Sequence, residues 1–210
     1  YKIVSGEHKD GYELLAYFYD DERMLYSDLK FEYLTTIIYE SELWFMDMGC
    51  LHKVEEGLLR FQCRIGQAHP FYIATEKSDV DTKDYDIKIF IGDELEQFRG
   101  DKCFGEAFIF DGLPKDEIGI GAYKDGRLLG MAGATSDSDR MWQIGINVMP
   151  EAEGLGIGTM LVAAIKNEIL DKNRLPFYGT AMSHIASQRV ALGAGFVPAW
   201  SELYCEAIER

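Results

Sequence analysis

Basic residues are scarce in this 210-residue chain: 21 Lys and Arg face 36 Asp and Glu, for a formal net charge of −15. A surface of that sign repels nucleic-acid backbones and anionic membranes, and it welcomes cationic partners while also serving plain solubility. Long apolar runs are missing too, since no uncharged stretch approaches the ~18 residues of a membrane span. Cysteine is sparse and scattered: Cys50, Cys63, Cys103 and Cys205 stand far apart with no C-x-x-C, and His8, His52, His69 and His184 form no H-E-x-x-H. No metal site is expected. Nothing is laid out as a basic and then apolar signal peptide, so four such thiols fit reduced cysteines, and the cytoplasm is the expected compartment.

What the chain does have is a sizeable apolar fraction, 47% against 27% charged, which suits one large or two small soluble domains. A split near residue 110 exposes an asymmetry. Residues 1–110 hold 23 acids against 12 bases and 20 of the 27 aromatics, whereas residues 111–210 hold 13 against 9 and 13 of the 21 glycines. Two regions with different jobs are expected, an acidic, aromatic-rich 1–110 and a glycine-rich 111–210.

In the first region, Tyr12 to Tyr19, Phe31 to Phe45 and Val54 to Arg64 are apolar at helical spacings and read as helices. Phe71 to Ala74 reads as a short strand after Pro70, Lys77 to Asp86 as a loop, and Asp86 to Ile91 as an alternating strand. Glu106 alternates with Phe104, Phe108 and Phe110, which predicts a strand face that sets one carboxylate among apolar neighbours, surroundings that suit a general base.

The second region is clearer. Ile118 to Lys124, the Asp125-Gly126 turn and Arg127 to Ala134 predict a β-hairpin, because Asp-Gly supplies the positive φ angles of a tight turn. A strand over Trp142 to Met149 leads through Pro150 into Glu153-Gly154-Leu155-Gly156-Ile157-Gly158, and Met160, Leu161, Ala164, Ile165 and Ile169 then share one helical face. Glycine amides at a helix N-terminus form a partly positive nest for a phosphate or diphosphate. A dinucleotide fingerprint would need Gly where Thr159 stands, and the Gly-Lys-Ser/Thr of a nucleoside-triphosphate loop is absent. Phe177 to Met182 reads as a strand, Ser187 to Leu192 as a short helix, and Val197 to Ile208 as a final extended stretch.

The run Ile146-Asn147-Val148-Met149-Pro150-x-x-x-Gly154-x-Gly156-Ile157-Gly158, with His184-x-x-Ser187-x-x-Val190 and Gly195-Phe196 after it, resembles the GNAT superfamily of acyl-CoA-dependent N-acyltransferases over residues 116–210. The resemblance implies an α/β fold with a mixed, mostly antiparallel sheet, flanked by helices, that splays open so that the pantetheine of acetyl-CoA pairs with the motif strand. On that resemblance Ile146, Asn147 and Val148 face the pantetheine. Gly154, Leu155, Gly156, Ile157, Gly158 and Thr159 hold the diphosphate, and His184 and Ser187 lie near the sulfur.

The chain departs from the family pattern in several places. Glu153 stands where Arg or Gln is usual, Gln143 where a carboxylate is often found, His184 for an Asn, and Ala191 for the Tyr that often protonates the leaving thiolate. Only 14 residues follow Phe196, little room for a terminal hairpin.

The implied reaction moves an acetyl group from acetyl-CoA, a co-substrate, to a primary amine. A neutral amine attacks the thioester, a backbone N–H near Val148 steadies the oxyanion, and a base takes the proton. Glu106 and Glu202 are the candidate bases, and Ser187 and Tyr204 the candidate proton donors, each also readable as an ordinary surface or core residue. The acceptor is expected to be a small or peptidyl amine, and a cationic one suits the acidic first region. A homodimer stays open. A non-catalytic acyl-CoA-binding module is the alternative, favoured by Glu153, Gln143 and Ala191.

Overall fold

The computed structural model describes residues 2–8, 11–17, 19–20, 23–24, 48–59, 62–82, 84–110 and 114–208. In chain order the elements are β1 (Lys2–His8), β2 (Gly11–Tyr17), β3 (Tyr19–Asp20), β4 (Arg23–Met24), α1 (Met48–Leu59), β5 (Cys63–Ile73) and β6 (Asp86–Ile91). They continue with β7 (Lys115–Lys124), β8 (Arg127–Ser136), β9 (Met141–Val148), α2 (Ile157–Asp171), β10 (Leu175–Gly179), α3 (Ile185–Gly193) and β11 (Val197–Ala207). Contacts gather the chain into two units, Tyr72–Thr180 with His184–Pro198, and Tyr1–Phe71 with Ala181–Ser183 and Ala199–Arg210. That division does not follow the composition break near 110, because β6 pairs with β7 and the 92–110 stretch packs beside them.

In the larger unit the strand order is β10-β9-β8-β7-β6. The β6, β7, β8 and β9 neighbours are antiparallel, and β9 and β10 are parallel. The β7–β8 turn forms as its Asp-Gly pair requires, with φ of 51° at Asp125 and 75° at Gly126. The predicted helical face of α2 is buried: Leu161, Ile165 and Ile169 pack with Ile157 and Val162 against Ile118, Ile120, Ala132, Ala134 and Ile144 of the sheet. Alternation along the strands supplies a second core on the opposite face, where Met131 meets Leu95, Phe98, Phe104 and Phe108. Phe98 stacks on Phe108 at 5.6 Å and meets Phe104 edge-on at 5.6 Å.

The stretch holding Glu106 is not a strand. Lys102–Phe104 form a 3-10 turn, started by Asp101 accepting from the Cys103 N–H at 2.9 Å, and a further turn carries the chain through Ala107. Phe104 and Phe108, four residues apart, are buried, while the Glu106 side chain is exposed, so the expected apolar setting for its carboxylate is corrected. A four-residue spacing of aromatics served a turn here, where strand alternation would have put Glu106 on the same face as them.

In the smaller unit the strand order is β2-β1-β11-β5. The helix expected over Tyr12 to Tyr19 is corrected: Gly11–Tyr17 pairs with β1 from His8↔Gly11 to Lys2↔Tyr17, and a strand partner outweighs the helical propensity of Leu14, Leu15 and Ala16. Phe31 to Phe45 lies outside the described residues. The helix expected from Val54 is α1, which buries Val54 and Leu58 and ends at Leu59, giving way to β5, far longer than the predicted Phe71 to Ala74 strand. The short chain end after Phe196 is used as the strand β11, whose neighbours β1 and β5 both come from the N-terminal part. No helix among the described residues is long and apolar enough to cross a membrane.

Candidate active site

The site in the larger unit grows from a fault in its sheet. Parallel pairing of β9 with β10 runs through Leu175↔Met141, Pro176↔Trp142 and Phe177↔Gln143 and stops there, while β9 continues to Val148. Met149 N–H donates to Leu129 O at 2.9 Å, on the β8 side, so strand alternation turns the N–H groups of Ile146 and Val148 to the opposite edge, beyond the end of the β10 pairing. Their side chains pack towards α2, and this leaves the backbone edge as a chain of donors and acceptors.

That edge leads through Pro150 into the glycine loop. Gly154 and Gly156 have φ of 76° and 81°, a region that costs other residues energy, and a Cβ on either would meet nothing within 4 Å. Gly156 is the N-cap of the fifteen-residue α2 and gives no side-chain cap, so the first backbone N–H groups of the helix have no intrahelical acceptor. The residues therefore fit a diphosphate. Glu153 is exposed, which lets its carboxylate stay in water beside such a ligand, and Leu155 is 62% exposed. Gly158 is buried, where a Cβ would stand in ordinary van der Waals contact, 3.4 Å from Val148 and 3.5 Å from Val190.

On the other face of the sheet, Gly119, Gly133 and Gly145 lie side by side on β7, β8 and β9. This stripe is a seat for the Glu106 segment. A Cβ on Gly145 would fall on the carbonyl oxygen of Glu106, one on Gly133 on that of Ala107, and one on Gly119 would come 2.7 Å from the Phe108 ring. Asn147, expected to face the pantetheine, has its side chain at this seat, where Oδ1 accepts from Glu106 N–H at 3.0 Å and Ala107 N–H at 2.8 Å. The sequence reading missed this seat; its signal is three cross-strand glycines, visible only once the register is known.

Beside the open edge, Tyr178 of β10 is 2% exposed and its hydroxyl lies 2.8 Å from Ser187 Oγ in the first turn of α3. Burial pushes the Tyr178 phenol up, the Ser187 hydrogen bond pulls it partly back, and the Glu106 carboxylate raises it further. Tyr72 O–H donates to Gln188 Oε1 at 3.2 Å, and burial raises that phenol also. His184 is the exposed N-cap of α3 without a side-chain capping bond, and Thr159 lies in the first turn of α2. Ala191 is wholly buried.

Lys166 of α2 is a buried cation. It is 1% exposed, donates to Ser78 Oγ at 2.5 Å and Ala194 O at 2.8 Å, and lies 6.0 Å from the Phe196 ring centre. Burial lowers its pKa, opposed by Glu76.

The smaller unit contains Glu202 and Tyr204. Glu202 is 4% exposed and accepts from Trp200 Nε1–H and Tyr204 O–H, both at 2.9 Å, while Phe71 stacks on Trp200 at 5.0 Å. Of the four candidate acids and donors, Glu106 and Ser187 thus belong to the larger unit with the glycine loop, and Glu202 and Tyr204 to the smaller, bonded to each other. Among the described residues no group of three His, Cys, Asp or Glu side chains could hold a metal ion.

A strand that parts from its parallel neighbour and runs into a glycine-capped helix is the arrangement that the sequence resemblance implies. The chain belongs to the GNAT acetyltransferase family: the family described as "Acetyltransferase (GNAT) family" matches residues 87–196, just over half of its length. That match begins earlier than the sequence resemblance and takes in β6 and the Glu106 segment. No curated protein matches the sequence. Similar solved structures include an acetyltransferase of the GNAT family from Colwellia psychrerythraea, 15% identical, covering 96% of this chain and 80% of that one with a TM-score of 0.53. A GCN5-related N-acetyltransferase from Kribbella flavida is 14% identical over 74% of this chain and 63% of its own, with a TM-score of 0.55. A GCN5-related N-acetyltransferase-like protein from Streptococcus suis is 13% identical over 75% and 68%, with a TM-score of 0.51. At these identities the likeness shows the fold.

Proposed function

We propose that the protein transfers an acetyl group from acetyl-CoA to a primary amine on a cationic molecule, a polyamine or a basic peptide. The observation that carries this is the end of the β9–β10 pairing at Gln143 and Phe177, immediately before the strand that delivers the glycine loop. The diphosphate sits on the N–H groups of residues 154–159, and the pantetheine amides pair with the free edge at Ile146 and Val148. The amine nitrogen attacks the thioester carbonyl carbon, and Val148 N–H donates to the oxygen as it gains charge. Glu106, seated over Gly145, takes the proton from nitrogen. Collapse breaks the C–S bond, Ser187 O–H donates to the departing sulfur, and the proton released by the amine ends on the thiol.

Cationic acceptors are supported by the net charge of −15, which steers ammonium groups towards the protein. Four scattered cysteines support a cytoplasmic place of work. Thiol release from acetyl-CoA over a panel of cationic, neutral and anionic amines tests the proposal. Turnover should favour the cationic amines, and kcat/KM should fall as salt rises, since screening acts over ~10 Å. Acetyl-CoA binding with no turnover of any amine would support a non-catalytic module, the reading that Gln143 and Ala191 favour.

A further inference from the structure

The hydroxyl pair on β10 and α3 is not required by the core around it. Tyr178 lies one residue past Phe177, the last position paired with β9, and its ring packs beside Phe196 at 6.2 Å, a contact that phenylalanine would make equally well. The hydroxyl is what the site adds. Either hydroxyl can donate across the 2.8 Å separation, and because a phenol is a stronger acid than an alkanol the favoured direction is Tyr178 O–H to Ser187 Oγ, which leaves the serine hydrogen to point elsewhere. Tyr72, bonded to Gln188, holds the next residue of the same turn. Ser187 is half-buried, so its hydroxyl can meet a ligand at the open edge, whereas Tyr178 cannot do so itself.

We infer that Tyr178 is a positioning residue for the leaving thiolate, holding Ser187 so that the serine O–H donates to the sulfur. This rests on the acyl-transfer reading above and names a residue that reading does not use. In the step concerned the C–S bond breaks and sulfur keeps its electron pair. Ser187 O–H donates a hydrogen bond to that sulfur, and Tyr178 O–H donates to Ser187 Oγ and so makes the serine a better donor. No proton leaves Tyr178. The proton that completes the thiol is the one lost by the amine, returned from Glu106 or water. Burial keeps the phenol in its donor form against the opposing pull of the Ser187 hydrogen bond, and the Glu106 carboxylate adds to burial.

The test reads the product CoA rather than turnover alone. With CoA bound, the ultraviolet thiolate band is followed against pH in the wild type, Tyr178→Phe, Ser187→Ala and the double variant. The wild type should lower the thiol pKa of bound CoA relative to free CoA, Ser187→Ala should abolish that lowering, and Tyr178→Phe should remove about half of it or more. The double variant should match Ser187→Ala. Turnover of Tyr178→Phe should fall about tenfold in kcat with little change in the KM for acetyl-CoA. A Tyr178→Phe thiol titration identical to wild type would overturn the inference and leave the acyl-transfer reading standing. Failure of wild-type protein to bind CoA in calorimetry would overturn both.

Discussion

Two glycine-built regions adjoin β9 and are put to opposite uses. At Gly154 and Gly156 the space a side chain would fill is empty, and a helix start without a side-chain cap follows at once. At Gly133 and Gly145 the same kind of space is filled by the protein's own backbone, the carbonyls of Ala107 and Glu106. The first region leaves room for a ligand's phosphates. The second fixes where an internal carboxylate-bearing turn must lie, and Asn147 locks it there with two hydrogen bonds. An open glycine surface thus leaves room for another molecule, and an occupied one marks where the protein places a residue of its own.

The sharpest way to break the comparison is at the residue the occupied stripe carries. Glu106→Gln should lower kcat by roughly 10²-fold while leaving acetyl-CoA affinity unchanged, checked by steady-state kinetics beside calorimetry. Near-unchanged turnover would move the proton transfer to water.

Next in size is the seat itself. In Gly145→Ala the new methyl overlaps the Glu106 carbonyl, so the turn must shift. Overpacking of this kind should cost about 1–3 kcal/mol in denaturant unfolding and reduce kcat with donor binding retained. A variant of wild-type stability and rate would show that the turn moves freely and that the stripe positions nothing.

The smallest effect is expected at the buried charge that ties α2 to the 76–80 loop and the end of α3. Lys166→Met loses bonds to Ser78 and Ala194 but also removes a buried ammonium, so stability near neutral pH should change by no more than about 1 kcal/mol. The pH dependence carries the sign. Because burial lowers Lys166 in the folded state, the unfolded chain binds more protons between that lowered value and the ordinary lysine range. Wild-type stability should therefore rise with pH across that window, and Lys166→Met should lose this rise. Chemical denaturation repeated over pH would show it.

Local chemistry made the second half of the chain legible. The Asp125-Gly126 turn, the helical face of Leu161, Ile165 and Ile169, and the glycine loop before them each carry their signal within a few residues, and each forms where expected. The Glu106 turn was misread because Phe104, Phe108 and Phe110 fit a period of two as well as a turn that buries Phe104 and Phe108, and only the glycine stripe on distant strands decides between them. Gly11–Tyr17 was misread for a similar reason, since its pairing with Lys2–His8 overrides Leu and Ala propensities. Tyr178 escaped notice because its partner Ser187 lies on another element.

The central claim is that the glycine loop holds the diphosphate of acetyl-CoA, and calorimetric titration of acetyl-CoA into the wild type and Gly156→Asp tests it most directly. The substitution puts a side chain at a φ of 81° and a negative charge where phosphate must approach the helix start. Affinity should fall by roughly tenfold or more with the circular dichroism spectrum and unfolding midpoint of a folded protein retained. Equal affinity in a folded Gly156→Asp protein would contradict the claim.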